Sequence, residues 1–78
     1  MYLAVKDVET RPDYQLLLTF ENGVKKIFDM MPYLETGIFR ELKDPDLFNS
    51  VKVSFDTIAW DNEADLDPEF LYENGTEL

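Results

Sequence analysis

YQLLLTFENGVKKIFDM, residues 14–30, is the stretch that decides the fold of this chain. In its first half, apolar side chains recur at every second position and therefore share one face of an extended strand. These residues are Tyr14, Leu16, Leu18 and Phe20. Asn22-Gly23 then offers the positive φ angles that a two-residue type I′ turn requires, between two strand-like runs. The stretch predicts a β-hairpin, and YLAVKDV, residues 2–8, predicts a further strand before it.

The length of that turn sets the pairing of the two strands. With Asn22-Gly23 as a two-residue loop, Leu18 is expected opposite Ile27 and Leu17 opposite Phe28, one pair on each face. Both faces are then partly apolar, so alternation alone does not identify the buried one.

Helical features follow the hairpin on both sides of Gly37. Pro32 ends the strand pattern, and Gly37 is expected to end a first helical turn or two. Phe39 and Leu42 then lie three residues apart on one helical face. Asp44-Pro45 predicts the start of a second helix. The Asp side chain is the N-cap, and the Pro takes the first position, where its missing N–H costs nothing.

The last third of the chain repeats both kinds of signal. VKVSFDTIAW, residues 51–60, alternates again, with a turn expected at Asp56-Thr57. Asp67-Pro68 repeats the capping device, and Gly75 is expected to end that helix. Together the signals predict an α+β fold in a single domain of residues 1–78. It consists of a small antiparallel sheet built from hairpins, with short helices packed against it.

Composition limits the chain to one small core. At 78 residues, folding buries only about 60–65% of the surface of the unfolded chain. Because the chain has no Cys, no disulfide supports that core, and the aromatic residues must supply much of the buried area. The N-terminus has neither a basic start nor a long apolar run, so we expect a cytoplasmic protein with no membrane segment.

Charge is distributed unevenly along the chain. The net charge is −10, and residues 53–78 hold eight acids and no base, which leaves −2 for residues 1–52. Such an acidic block repels nucleic acid and anionic lipid, and it accelerates association with a cation or a basic protein. We therefore expect no direct binding of nucleic acid. Solubility alone is the simpler explanation of the block.

Alternating acids in WDNEADLDPEFLY, residues 60–72, raise the question of a metal site. Asp61, Glu63 and Asp65 match the first, third and fifth positions of an EF-hand loop. The match then fails, because the sixth position lacks the Gly of the sharp turn and the twelfth is Tyr72 instead of a bidentate Glu. We expect no metal site and no cofactor.

Catalysis has equally little support in the sequence. The chain has no His and no Cys, which removes the commonest general base and the commonest activated nucleophile. A carboxylate pair such as Asp65 and Asp67 works as acid and base only in a cleft that splits the two pKa values. The capping role already explains Asp67. We therefore predict that the protein is not an enzyme.

Three segments, LLLTFENGVKKIFDM, FRELKDPDLF and IAWDNEADLDPEFLY, resemble in order and spacing the bacterial family called domain of unknown function 2442. The resemblance extends from about Val5 to Tyr72, and a Gly often stands in the family where this chain has Glu63. It implies a small α+β domain without known activity. It also implies a following DNA-binding helix-turn-helix in some relatives, and a small toxin-like protein encoded beside many stand-alone ones. Because this chain ends at Leu78, we expect no appended DNA reader.

The resemblance and the charge lead to one hypothesis, a non-enzymatic acidic interaction module that is antitoxin-like because it binds a small basic protein. The candidate contact residues are Trp60, Asp61, Glu63, Asp65, Glu69 and Glu73. Trp60 is either a core residue or an anchor for the partner. We also expect a homodimer through an exposed strand edge. The alternative is a regulatory domain that binds a small ligand or metal ion with the acidic loop 61–67.

Overall fold

Two antiparallel sheets form the framework of the computed structural model, which describes residues 4–78. The strands are β1 (Val5–Arg11), β2 (Gln15–Phe20), β3 (Lys25–Asp29), β4 (Lys52–Ser54), β5 (Thr57–Ala59), β6 (Asp65–Leu66) and β7 (Thr76–Glu77). The larger sheet has the order β1-β2-β3-β7 and the smaller one the order β4-β5-β6. The strand expected at residues 2–8 overlaps β1, and its first two residues lie outside the described part. The short strands β6 and β7 were not predicted.

The hairpin of β2 and β3 forms as predicted, but its loop is one residue longer. The loop comprises residues 21–23, because the Gly23 N–H donates to the Phe20 carbonyl over 2.9 Å and Phe20 pairs with Val24. Gly23 has a φ of +86°, whereas Asn22 is not among the residues with positive φ. The predicted two-residue type I′ turn is therefore wrong, since only one position adopts the left-handed conformation.

The longer loop also shifts the predicted register by one residue. Leu17 lies opposite Ile27 and Leu16 opposite Phe28. Phe28 consequently shares a face with Leu16 and Leu18, and all three side chains are at most 1% exposed. The register thus identifies the buried face that the sequence left open, since a one-residue slip moves a strand's side chains to the other face.

The hairpin of β4 and β5 has the two-residue turn, and it lies one residue earlier than predicted. Ser54 pairs with Thr57, so the turn residues are Phe55 and Asp56, with φ of +50° and +70°. The turn expected at Asp56-Thr57 is therefore wrong. Thr57 instead extends β5, and its hydroxyl donates to the Leu66 carbonyl on the neighbouring strand.

Short helical segments connect and cover the sheets. They are the 3-10 helices Pro12–Tyr14, Met31–Tyr33 and Gly37–Lys43 and the α-helices α1 (Pro45–Phe48) and α2 (Pro68–Asn74). Gly37 begins a helix instead of ending one, because its φ of +50° lets the chain turn into the segment that follows. Both Asp-Pro predictions are confirmed. The Asp44 carboxylate accepts from the Asp46 N–H over 3.0 Å, and Asp67 accepts from the Glu69 N–H over 2.8 Å.

The end of α2 is fastened to the larger sheet. The Lys26 ammonium on β3 donates to the Tyr72 carbonyl and lies 3.8 Å from the centre of the Tyr72 ring. Gly75 follows the helix as predicted, although with an extended backbone. A Cβ at Gly75 would lie 2.9 Å from the Leu71 carbonyl oxygen and 3.1 Å from the Lys26 Cβ. Position 75 therefore requires Gly, because the chain passes too close to Leu71 and to Lys26 of β3 for a side chain.

One hydrophobic cluster joins the two sheets and the helices. Its buried members are Val5, Leu16, Leu18, Phe20, Phe28, Met30, Leu34, Leu42, Phe48, Ile58, Trp60, Ala64 and Leu71. The predicted α+β class is confirmed, with the strands divided between two sheets. None of the helices in residues 4–78 has the length and apolar composition that crossing a membrane requires.

Candidate functional site

The loop that joins β5 to β6 has the same form as the loop between β2 and β3. Trp60 pairs with Ala64, since its N–H donates to the Ala64 carbonyl over 3.0 Å, and the Glu63 N–H donates to the Trp60 carbonyl over 2.9 Å. The Asn62 side chain accepts from the Ala64 N–H over 3.1 Å. Glu63 occupies the left-handed position with a φ of +69°. This loop positions the first acids of the candidate site.

Trp60 belongs to the hydrophobic core. Its side chain is 2% exposed, and its indole N–H donates to the Phe48 carbonyl over 3.1 Å. The rings of Phe39 and Phe48 lie 6.4 Å and 6.5 Å from it, measured between centroids. The structure therefore places Trp60 where the core interpretation expects it, and its side chain does not face a partner.

Asp61 and Glu63 lie at the exposed tip of this loop, apart from the other candidate acids. The Asp61 N–H donates to the Ser50 hydroxyl over 3.1 Å, and the Asp61 carboxylate lies 3.9 Å from the Lys52 ammonium. Both side chains of that ion pair are more than half exposed, so the pair contributes little to stability. Lys52 nevertheless offsets part of the negative charge at the tip.

The remaining candidate acids meet in a shallow groove between β6 and α2. Its lining consists of Asp65, Leu66, Asp67, Glu69, Phe70 and Glu73, which we call the acidic groove. Asp65 comes from β6, whereas Glu69 and Glu73 lie four residues apart on α2 and so share one helical face. Leu66 and Phe70 are half-buried and give the groove an apolar part.

No base lines the acidic groove, so its four carboxylates lack local compensation. The ion pairs found within residues 4–78 lie elsewhere, between Lys43 and Glu35 and between Lys52 and Asp61. The first of these lowers the pKa of the Glu35 carboxyl, through a hydrogen bond from Lys43 and then through its charge. Within the described part of the chain, no three carboxylates are arranged to hold a metal ion. The groove therefore offers a diffuse negative surface.

Sequence reasoning found three groove acids but missed three other lining residues. Asp67 was predicted as a helix cap and as part of the alternative ligand-binding loop 61–67, but not as a partner contact, and it borders the groove. Leu66 and Phe70 were not predicted as part of a site. No local pattern marks them, because Leu66 lies on β6 and Phe70 on α2, and their proximity depends on how the two elements pack.

Fold and site together define a class, the small α+β domain with one core and an acidic surface groove. The chain belongs to the family described as protein of unknown function (DUF2442), whose model matches residues 5–77. This match confirms the resemblance of the three sequence segments. No curated protein and no solved structure matches the chain.

Proposed function

We propose that the protein is a non-enzymatic interaction module whose acidic groove binds a basic segment of a partner protein. The observation that carries this proposal is the set of four uncompensated carboxylates beside Leu66 and Phe70. Arg and Lys side chains of a partner can pair with the carboxylates while their aliphatic stems pack on the apolar part. The chain's lack of His and Cys supports a role in binding rather than in catalysis.

Long-range electrostatics favour the same class of partner. Residues 53–78 carry eight acids and no base, so the potential near the groove attracts cations. Charge complementarity of this kind raises the association rate and rejects acidic partners, and its effect decreases as salt increases. A salt-sensitive complex with a small basic protein is the expected form of binding.

An antitoxin-like role in the cytoplasm extends this proposal. A toxin that acts on RNA needs Lys and Arg to contact phosphates, and an acidic groove complements such a surface. Occupation of the groove by that surface blocks access of the nucleic acid. The same charge pattern keeps the module itself away from nucleic acid and anionic membranes.

A regulatory domain that binds a small ligand or metal ion with loop 61–67 has less support. Two side-chain oxygens that could bind a ligand already accept hydrogen bonds within the chain. Asn62 accepts from the Ala64 N–H, and Asp67 accepts from the Glu69 N–H. Melting the protein with calcium, magnesium and common metabolites tests this alternative, because a ligand specific for the folded form raises the melting temperature.

Self-association as a homodimer also remains a proposal. The long edge strand of the larger sheet is β1. Its exposed side chains are largely charged, namely Lys6, Asp7, Glu9 and Arg11. Charged side chains on an edge disfavour pairing with another strand, so a dimer held by side-chain contacts, and not by strand pairing, fits this edge better.

Affinity capture from the source cell tests the groove as the binding site. The groove variant carries Asp65→Asn, Glu69→Gln and Glu73→Gln. The matched control carries Asp7→Asn, Glu9→Gln and Glu21→Gln, which change the net charge equally at exposed positions outside the groove.

We expect the native chain and the control to retain the same small basic protein at low salt and to release it at high salt. The groove variant should retain little of it. Equal retention by all three proteins, or equal loss from both variants, would refute binding through the groove.

A further inference from the structure

Phe55 occupies an unusual place at the tip of the hairpin formed by β4 and β5. Its side chain is 97% exposed, the largest exposure among the big apolar residues of the described chain. Phe55 and Asp56 both have positive φ, which type I′ turns normally satisfy with Asn and Gly. An aromatic residue there strains the backbone without adding to the core. Such strain is typical of functional positions.

The tip is held firmly despite this strain. The Val5 N–H on β1 donates to the Asp56 carbonyl over 2.8 Å, and Thr57 is hydrogen-bonded to Leu66 on β6. Val53, next to the tip on β4, is 39% exposed. Phe55 is therefore an apolar knob on a preorganised backbone, so its insertion has to order the ring but not the turn that carries it.

A hollow of complementary character lies elsewhere on the molecule. It has a volume of about 420 Å³. Its lining comprises Thr10, Arg11, Pro12, Asp13, Tyr14, Pro45, Phe48 and Asn49. Tyr14 also has a positive φ, of +61°, and its hydroxyl donates to the Lys43 carbonyl, which fixes one wall. The prolines and the aromatic rings form the apolar part of the hollow, and its other four lining residues are polar or charged. Its volume suits an inserted side chain.

Knob and hollow lie at opposite ends of β1. Asp56 bonds to Val5, the first residue of the strand, whereas Arg11, its last residue, borders the hollow. Seven strand residues separate the two by about 20 Å, so Phe55 does not reach the hollow of its own chain. A twofold axis across β1 would place each knob at the hollow of the other chain.

We propose that two copies of this chain form a homodimer in which Phe55 of each copy inserts into the hollow of the other. Charge complementarity supports a second copy as the occupant. Asp56 is next to the knob, and the lining of the hollow holds one base, Arg11, and one acid, Asp13. Arg11 is exposed and forms no ion pair within residues 4–78, with Asp13 or with any other acid, so it is available to a carboxylate of the second copy. Each insertion therefore brings an Asp56 carboxylate to the Arg11 of the second copy. The acidic groove takes no part in this contact.

Sedimentation velocity of the full chain over a range of concentrations tests the dimer. The native protein should shift from the 9.2 kDa monomer to twice that mass as concentration rises. Phe55→Asn removes the ring and supplies a residue that type I′ turns prefer, so the fold is retained. We expect this variant to raise the dimer dissociation constant at least about 30-fold, as loss of a hot-spot residue does.

Charge reversal tests the proposed ion pair between Asp56 of one copy and Arg11 of the other. Arg11→Glu and Asp56→Lys should each weaken the dimer, and the double variant should restore it, because the pair then attracts again with the signs exchanged. The proposal is overturned if the native chain stays monomeric up to about 1 mM. It is equally overturned if Phe55→Asn leaves the dissociation constant unchanged, with circular dichroism showing both proteins folded.

Discussion

Asn22 and Asn62 occupy the same position in two loops of one form. Each side-chain oxygen accepts from the backbone N–H two residues later, over 3.1 Å in both cases. This local bond stabilises the turn without help from the rest of the chain. The next position has positive φ in both loops, with Gly23 in one and Glu63 in the other. Only the loop with Glu63 therefore holds a residue with a Cβ in the strained left-handed conformation.

Glu63→Gly is expected to stabilise the fold. The left-handed conformation costs a residue with a Cβ about 1–2 kcal/mol, and Gly avoids this cost. Gly also has more conformational freedom to lose on folding, which cancels about 0.5–1 kcal/mol of the gain. A net gain in the free energy of unfolding of about 0.5–1 kcal/mol follows, measurable by urea denaturation. Glu63→Gln is the control, because it removes the same charge and keeps the Cβ. A loss of stability in the Gly variant, or an equal gain in the control, would contradict a strained loop.

Residue-scale predictions succeeded where a signal is complete within a few positions. Asp44 and Asp67 cap their helices because the side chain, the following Pro and the helical N–H groups lie within three residues. Turn type was harder to predict. Asn-Gly fits both a two-residue turn and the last two positions of a three-residue loop, and the dipeptide alone does not distinguish them.

The helix α2 joins stability to the proposed function, because Asp67 both caps it and borders the acidic groove. Asp67→Ala should lower the free energy of unfolding by about 1 kcal/mol through loss of the cap. Asp67→Asn should keep the cap, since Asn is an equally good capping residue, but it removes one groove charge. We therefore expect the Asn variant to melt like the native chain and to bind a basic partner more weakly. Equal stability of the two variants in thermal melts would show that the cap is not needed.

Pairing between elements was predictable only in part. The β2–β3 hairpin follows from apolar alternation, yet its register depends on loop length, and one extra residue moved Phe28 onto the buried face. Gly37 illustrates the same limit, because a Gly with positive φ can end one helix or begin the next segment. The two-residue strand β7 has no sequence signal, since its pairing with β3 depends on where α2 ends.

At the scale of the whole molecule, half of the eight acids in residues 53–78 line the acidic groove. The sequence identified Asp65, Glu69 and Glu73, and the structure brings them to the groove between β6 and α2. It did not reveal that Asp61 lies apart at a loop tip beside Lys52, and it left open whether Trp60 is a core residue or an anchor for a partner. Those facts depend on the packing of the two sheets, which involves residues distant in sequence.

We propose that the acidic groove binds basic segments because of where its carboxylates lie and not merely because of the net charge of the chain. The most direct test of this proposal is the binding of a fluorescent synthetic peptide of Arg and Leu residues, followed by anisotropy at low and high salt. The proteins compared are the native chain, the groove variant of Asp65, Glu69 and Glu73, and the charge-matched control of Asp7, Glu9 and Glu21. All three are first checked for equal thermal stability.

We predict that the native chain and the control bind the peptide with similar affinity, and that added salt weakens both. The groove variant should bind at least about tenfold more weakly at low salt and depend less on salt, because its specific charge pairs are gone. Equal weakening of the groove variant and the control would contradict the account, since net charge alone would then explain the binding.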